Sequence, residues 1–205
     1  MKGSYQDNYD APYMISGFHY VEGEWNTGYV IEDESGNQYV WIPVTNKEKE
    51  EVQKLIKKDF TIEPIIAKEY CVDDNYEAFI KSSLENGGFY ISRYELGVET
   101  DSDNSARRVV SKAGKEILKD LTKAEMVEYV QTMYPQKSEF TCELINGYAY
   151  DTTIEWLKKS EKIQVFDVET DNLILTGRNS VRNVFDIFDN VLEITRRNKL
   201  QYISC

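Results

Sequence analysis

Histidine is almost missing from this chain of 205 residues: His19 is its only one. Hydrolases built on a serine or cysteine nucleophile need a base that titrates near neutrality, so any such mechanism would have to run through His19. That residue sits in Gly17-Phe18-His19-Tyr20-Val21, an alternating run that reads as a strand, and no GxSxG elbow occurs anywhere. A structural or surface histidine is the expectation. Cysteine is scarce as well. Cys71, Cys142 and Cys205 are odd in number, far apart and without a CxxC pair, which fits neither a disulfide framework nor a zinc site. Reduced thiols in a chain made in the cytoplasm are expected. No stretch of about 18 apolar residues occurs, as a membrane-spanning helix would need, and Met1–Asn8 holds no signal-peptide core. Positive charge is in deficit: 24 Lys and Arg face 36 Asp and Glu, a net charge of −12. Binding to nucleic acid rests on cations displacing counterions, so that partner class is excluded.

Two further motifs fail on inspection. Lys115 follows Gly114, but Glu116 replaces the required Ser or Thr and Val109 stands in the place of the first phosphate-loop glycine. Asp101-Ser102-Asp103-Asn104-Ser105 opens like a calcium loop, yet Ala106 replaces the turn glycine and Lys112 the bidentate glutamate. An acidic solvated loop is the expectation there. What the chain does have is apolar and aromatic content, 41% and 13%, with 15 Tyr, 8 Phe and 3 Trp. That is too much for disorder, and the length suits one domain with a core of its own.

The pattern along the chain predicts a mixed α+β architecture. Thr27–Ile31 and Gln38–Val44 read as a hairpin around the turn Glu32-Asp33-Glu34-Ser35-Gly36-Asn37. Pro43 ends its second strand or places it on an edge. Four helices are expected. The first opens on the capping box Thr45-Asn46-Lys47-Glu48 and runs to about Lys58; the second spans about Asp74–Glu85, with Tyr76, Phe79, Ile80 and Leu84 on one face. The third follows the capping box Thr122-Lys123-Ala124-Glu125, with Met126, Tyr129, Val130 and Met133 as a core stripe before Pro135. The fourth covers about Gly147–Lys159 and presents Ala149, Thr152 and Trp156. Phe89–Glu95 reads as one strand, and Lys162–Cys205 as loops and short strands.

Several of these segments, taken in order, resemble the formylglycine-generating (sulfatase-modifying factor) family, whose fold is a variant of the C-type lectin fold. The carriers are Tyr39–Val44, Gly88–Glu95, Val110–Lys115, Tyr148–Leu157, and Asn183–Ile187 followed by Asn190–Thr195. The resemblance implies a single C-type lectin-like domain over 17–195, with short antiparallel strands and long irregular loops. A polar leader, 1–16, would precede it and a basic tail, 196–205, would follow. Active members of the family hold copper(I) on a cysteine pair beyond the last of these segments. Here 10 residues follow Thr195, and neither Cys71 nor Cys142 lies in that region. The signature is also eroded, with Tyr150 in place of a Trp and Leu192 and Ile194 in place of two more. The family often binds calcium beside its last motif. By resemblance Asn190, Val191 and Glu193 are the candidates, against the plainer reading of a polar turn bonded to its own backbone.

The expected function is therefore that of a non-catalytic binding or assembly protein, a structural component of a phage, prophage or phage-like particle. It would have no obligate cofactor and would engage protein partners or copies of itself. The leader tyrosines Tyr5, Tyr9 and Tyr13, Trp25 in the loop Glu22–Asn26, and the basic tail residues Arg196 and Arg197 are the candidate contacts. A formylglycine-generating-type copper oxidase, or another enzyme on the same fold, is the alternative. Carbohydrate binding is a lesser one, since the paired calcium–sugar ligand sequence of lectins is absent. A chain that stops this early is expected to leave a sheet edge for another element to cover.

Overall fold

A computed structural model describes residues 11–44, 74–100, 106–119, 121–134, 140–159, 176–177 and 180–187. Its organising element is an antiparallel sheet of four strands in sequential order: β1 (Phe18–Glu22), β2 (Val30–Asp33), β3 (Gln38–Pro43) and β4 (Gly88–Ser92). The β2–β3 hairpin forms where the turn chemistry places it. The Asp33 carboxylate accepts from the Ser35 and Asn37 amides at 2.9 and 2.8 Å and from Asn37 Nδ2 at 2.9 Å, while Gly36 takes φ +83°. An Asp that bonds the backbone ahead of it is a turn in itself. Pro43 ends β3 and does not mark an edge, because β3 lies between β2 and β4.

Residues i and i+2 of a strand share a face, so the sheet divides its side chains in two. Val30, Val40, Ile42, Phe89 and Ile91 point one way, into the main core. They meet Ile80 and Leu84 of helix α1 (Asp74–Asn86) and Ala149, Trp156 and Leu157 of helix α3 (Gly147–Lys158). Each such Val, Leu, Ile or Phe side chain contributes about 1.5–3 kcal/mol on full burial. Tyr29, Ile31 and Trp41 point the other way, under Met14, Ile15, Phe18 and Trp25. A third cluster of Leu96, Val109, Met126, Val130 and Leu144 lies between helix α2 (Lys123–Met133) and a small sheet. That sheet has strand order β6-β5-β7, made of β5 (Gly97–Thr100), β6 (Arg107–Val110) and β7 (Glu116–Ile117). A short pair, β8 (Ser180–Val181) and β9 (Val184–Phe185), completes the described strands.

The helix ends follow local chemistry. Glu125 N–H donates to Thr122 Oγ1 at 3.3 Å and Thr122 N–H to Glu125 Oε2 at 2.7 Å, the reciprocal capping box that the sequence predicts for α2. Asn146 caps α3, its Oδ1 accepting from Ala149 N–H at 2.9 Å. Gly87, at φ +80°, stops α1 in the left-handed turn that glycine allows. The α3 stripe corrects the sequence reading by one position. Thr153, not Thr152, is the fully buried threonine, because its hydroxyl donates back to Ala149 O at 2.7 Å and so needs no water.

Three helices, not four, are found among the described residues, and the one expected from Thr45 to about Lys58 lies outside them. The strand expected over Phe89–Glu95 ends at Ser92. There Arg93 turns the chain: its guanidinium donates to Glu22 at 2.5 Å and to Gln38 Oε1 at 2.8 Å, over the rings of Tyr94 and Phe185. Asn37 Oδ1 accepts from Ser111 N–H at 3.0 Å and Phe185 N–H donates to Arg93 O at 2.8 Å, tying the three sheets together. None of the described helices is long and apolar enough to cross a membrane.

Candidate functional site

Strand β4 is the last strand of the large sheet among the described residues, and a cleft of about 730 Å³ runs along it. All five β4 residues line this cleft, with the inner face of α1 on one side and the non-strand segment Phe140–Asn146 on the other. Its walls draw on all three apolar clusters, so it lies where they converge. The volume falls within the roughly 300–1,000 Å³ of small-molecule sites, which are also mostly apolar with a few polar groups.

The polar groups are specific. Tyr39 O–H donates to Tyr134 Oη at 2.9 Å, and Tyr134 O–H donates to the Asp33 carboxylate at 2.5 Å. This chain of bonds anchors the end of α2 to the hairpin turn. It also fixes a ring cluster of Phe18, Tyr39, Tyr134 and Phe140, with centroids 5.1 to 6.2 Å apart. Tyr90 packs edge-on to Trp41 at 4.9 Å, and its hydroxyl donates to the Tyr13 carbonyl at 2.9 Å. Trp41 Nε1 and Ser92 Oγ are buried without a hydrogen-bond partner.

Burial dominates the electrostatics here. It raises the Tyr39, Tyr90 and Tyr134 hydroxyls well above the ordinary phenol, with Asp33 adding to the rise at Tyr134 as the acceptor of its hydrogen bond. Burial likewise pushes the Cys142 thiol up to about 12. A thiol held protonated is a weak nucleophile, and acid–base catalysis favours groups that titrate near the working pH. His19, the one histidine, lies on the exposed side of β1, 3.5 Å from Glu32.

Of the sequence-derived candidates, Tyr13 is the one that reaches this cleft; it is 53% exposed at the rim. Trp25 is half-buried and packs against the Tyr29, Ile31 and Trp41 cluster. Tyr5, Tyr9, Asn190, Val191, Glu193, Arg196 and Arg197 lie outside the described residues. Among the described residues, no three His, Cys, Asp or Glu side chains gather as a metal site would need. Sequence reasoning missed Trp41, Tyr90, Ser92, Tyr134 and Phe140. The available signal was the run of large rings at alternate positions, Tyr39 and Trp41, opposite Tyr90. A scan against models of protein families finds no match, and searches among curated proteins and solved structures find none either.

Proposed function

We propose that this chain is a non-catalytic binding and assembly module that works through contact surfaces, built on a C-type lectin-like scaffold of the formylglycine-generating type. In that role it serves as a structural component of a phage-like particle. The observation that carries the reading is the cleft along β4. It is walled by aromatic rings, and its tyrosine and thiol groups are pushed away from neutrality. Tyrosine offers a large rigid surface with one hydroxyl, which suits protein contacts. The sheet ends in two strands, and both sides bear tyrosine: Tyr20 on β1 is 51% exposed, and Tyr13 stands at the rim of the cleft. The scaffold assignment rests on the ordered segments that resemble the family and on the mixed architecture of antiparallel sheets.

Sedimentation velocity of the full chain over a wide concentration range tests the assembly half. The expected result is reversible self-association that Tyr20→Asp and Tyr13→Asp weaken; a monomer at every concentration removes it. Oxygen uptake with copper(I) and a cysteine-containing peptide tests the other half. No uptake is expected, and copper-dependent uptake would replace this reading with that of an oxidase. If calcium binds through Asn190, Val191 and Glu193, millimolar calcium raises the thermal midpoint, as any ligand selective for the folded state must.

A further inference from the structure

Two Asn-Gly pairs occur in the sequence, Asn86-Gly87 and Asn146-Gly147, and the fold treats them oppositely. We propose that Asn86 is a site of spontaneous deamidation, a slow covalent modification that puts a negative charge at the rim of the cleft, while Asn146 is protected from it.

The chemistry needs only water. The Gly87 amide nitrogen attacks Asn86 Cγ; the new N–C bond closes a five-membered succinimide, and the side-chain amide leaves as ammonia. Water then adds to one ring carbonyl and breaks its bond to the ring nitrogen. Opening at the main-chain carbonyl leaves isoaspartate, whose backbone is longer by a methylene; opening at the other leaves aspartate. A side chain on the following residue crowds the ring, so glycine, which has none, is the most permissive successor. Closure also needs a side-chain amide free to turn, a backbone that can leave its helical angles, and access for water.

Asn86 meets these needs. It is the last residue of α1 and is exposed, and helix ends fray at little cost in free energy. Its side-chain amide donates to Ser82 Oγ at 3.1 Å, an exposed bond that water can replace. Asn146 meets none of them. It is 8% exposed, and its Oδ1 accepts from Ala149 N–H as the cap of α3. Gly147 and Ala149 are buried in the first turn, so ring closure there would break the cap and open the start of the helix.

The product forms where it matters. Asn86 lines the cleft. An aspartate in its place faces the negative end of the α1 dipole and follows Glu85 directly. Isoaspartate lengthens the main chain just before a close junction: Gly87 O accepts from Val44 N–H at 2.9 Å, and a Cβ on Gly88 would fall 2.4 Å from Ile42 O.

The test ages the full chain in mildly alkaline buffer, which favours the attacking amide anion, then digests it with trypsin under mildly acidic conditions, where closure is slow. Position 86 falls in the peptide 82–93 and position 146 in 138–158. The acid and isoacid products separate from the amide by chromatography and by mass. In the native chain position 86 is expected to convert at least roughly tenfold faster than 146, because opening the latter costs its cap and its burial. In guanidinium chloride the two rates should converge, since both are Asn-Gly. Asn86→Gln, whose ring would be six-membered and closes far more slowly, should abolish the acidic species that accumulates on anion exchange and leave the circular dichroism unchanged. Native conversion at 86 no faster than at 146 overturns the proposal. So does a gap that persists in guanidinium chloride, or an acidic species that accumulates undiminished in Asn86→Gln.

Discussion

The two faces of the large sheet are built from alternate residues of the same strands, yet they have different chemistry. On one, Val30, Val40, Ile42, Phe89 and Ile91 bury branched and aromatic carbon against α1 and α3. On the other, Tyr29, Tyr39, Trp41 and Tyr90 carry rings with hydroxyl or N–H groups and Ser92 carries a hydroxyl, and two of those polar atoms end unpaired. The first face is closed by helices whose side chains interdigitate with it. The second is roofed by the chain that enters from Ala11 to Phe18, which covers Trp41 and Tyr29 but leaves Tyr90 half-buried beside the cleft. The helix-packed face is almost wholly carbon, although Trp156 Nε1 of α3 is buried there without a partner, and the other face mixes rings with polar atoms. This sheet keeps the two apart by strand parity.

The difference should show in measured stability. Ile42→Ala on the dry face is expected to cost about 2–5 kcal/mol, transfer plus cavity, whereas Trp41→Phe should cost about 1–2 kcal/mol, because the larger apolar loss is offset by removal of an orphaned donor. Equal costs in denaturant unfolding would erase the distinction. Gly88→Ala strikes both faces. Its Cβ would fall 2.4 Å from Ile42 O and 2.6 Å from Trp41 Cζ2, so a loss of about 1–3 kcal/mol is expected from overpacking, together with a change in the Trp41 indole resonance. An unchanged resonance would mean that the strand simply shifts. Tyr134→Phe removes the donor to Asp33 and the acceptor for Tyr39. Asp33 keeps its three hairpin donors, so about 1 kcal/mol is expected; no loss would mean the relay is ornamental to the polar face.

The smallest effect lies away from the large sheet. Glu99 accepts from Lys112 Nζ at 2.8 Å and from Lys115 Nζ at 2.6 Å, and these bonds hold its carboxyl at about 2 against an ordinary 4.5. The folded value is the lower one, so the stabilisation is complete above about pH 4.5 and is lost as pH falls towards 2. With the side chain 36% exposed, solvent screening limits it to about 1 kcal/mol or less. Glu99→Gln should flatten the acid limb of stability against pH by that amount, and an unaltered limb would assign it to other carboxylates.

Much of the fold was legible in local pattern. The Thr122–Glu125 box, the Asp33–Asn37 turn and the Gly87 stop are chemistry within a few residues, and all three stand where the sequence places them. The misreadings occur where distant parts of the chain intervene. Thr153 displaces Thr152 because the side of α3 that packs into the main core is the one carrying Ala149, Trp156 and Leu157. The strand after Gly88 stops at Ser92 because Glu22 and Gln38, 71 and 55 residues away, capture Arg93. Tyr134 escaped notice for the same reason: it follows the apolar stripe of α2, and its partner Asp33 is 101 residues distant.

By itself the sequence determined the alternation that splits the strands, the caps and turns that bound each element, and the scarcity of histidine and cysteine that turns attention from chemistry to contact. These are properties of neighbours, fixed by backbone geometry and by composition. Tertiary structure alone decided which aromatic face borders a cleft, which hydroxyls join across it and which buried polar atoms are left unpaired. Such facts depend on register and on helix docking, which bring together residues tens of positions apart and which no local pattern records.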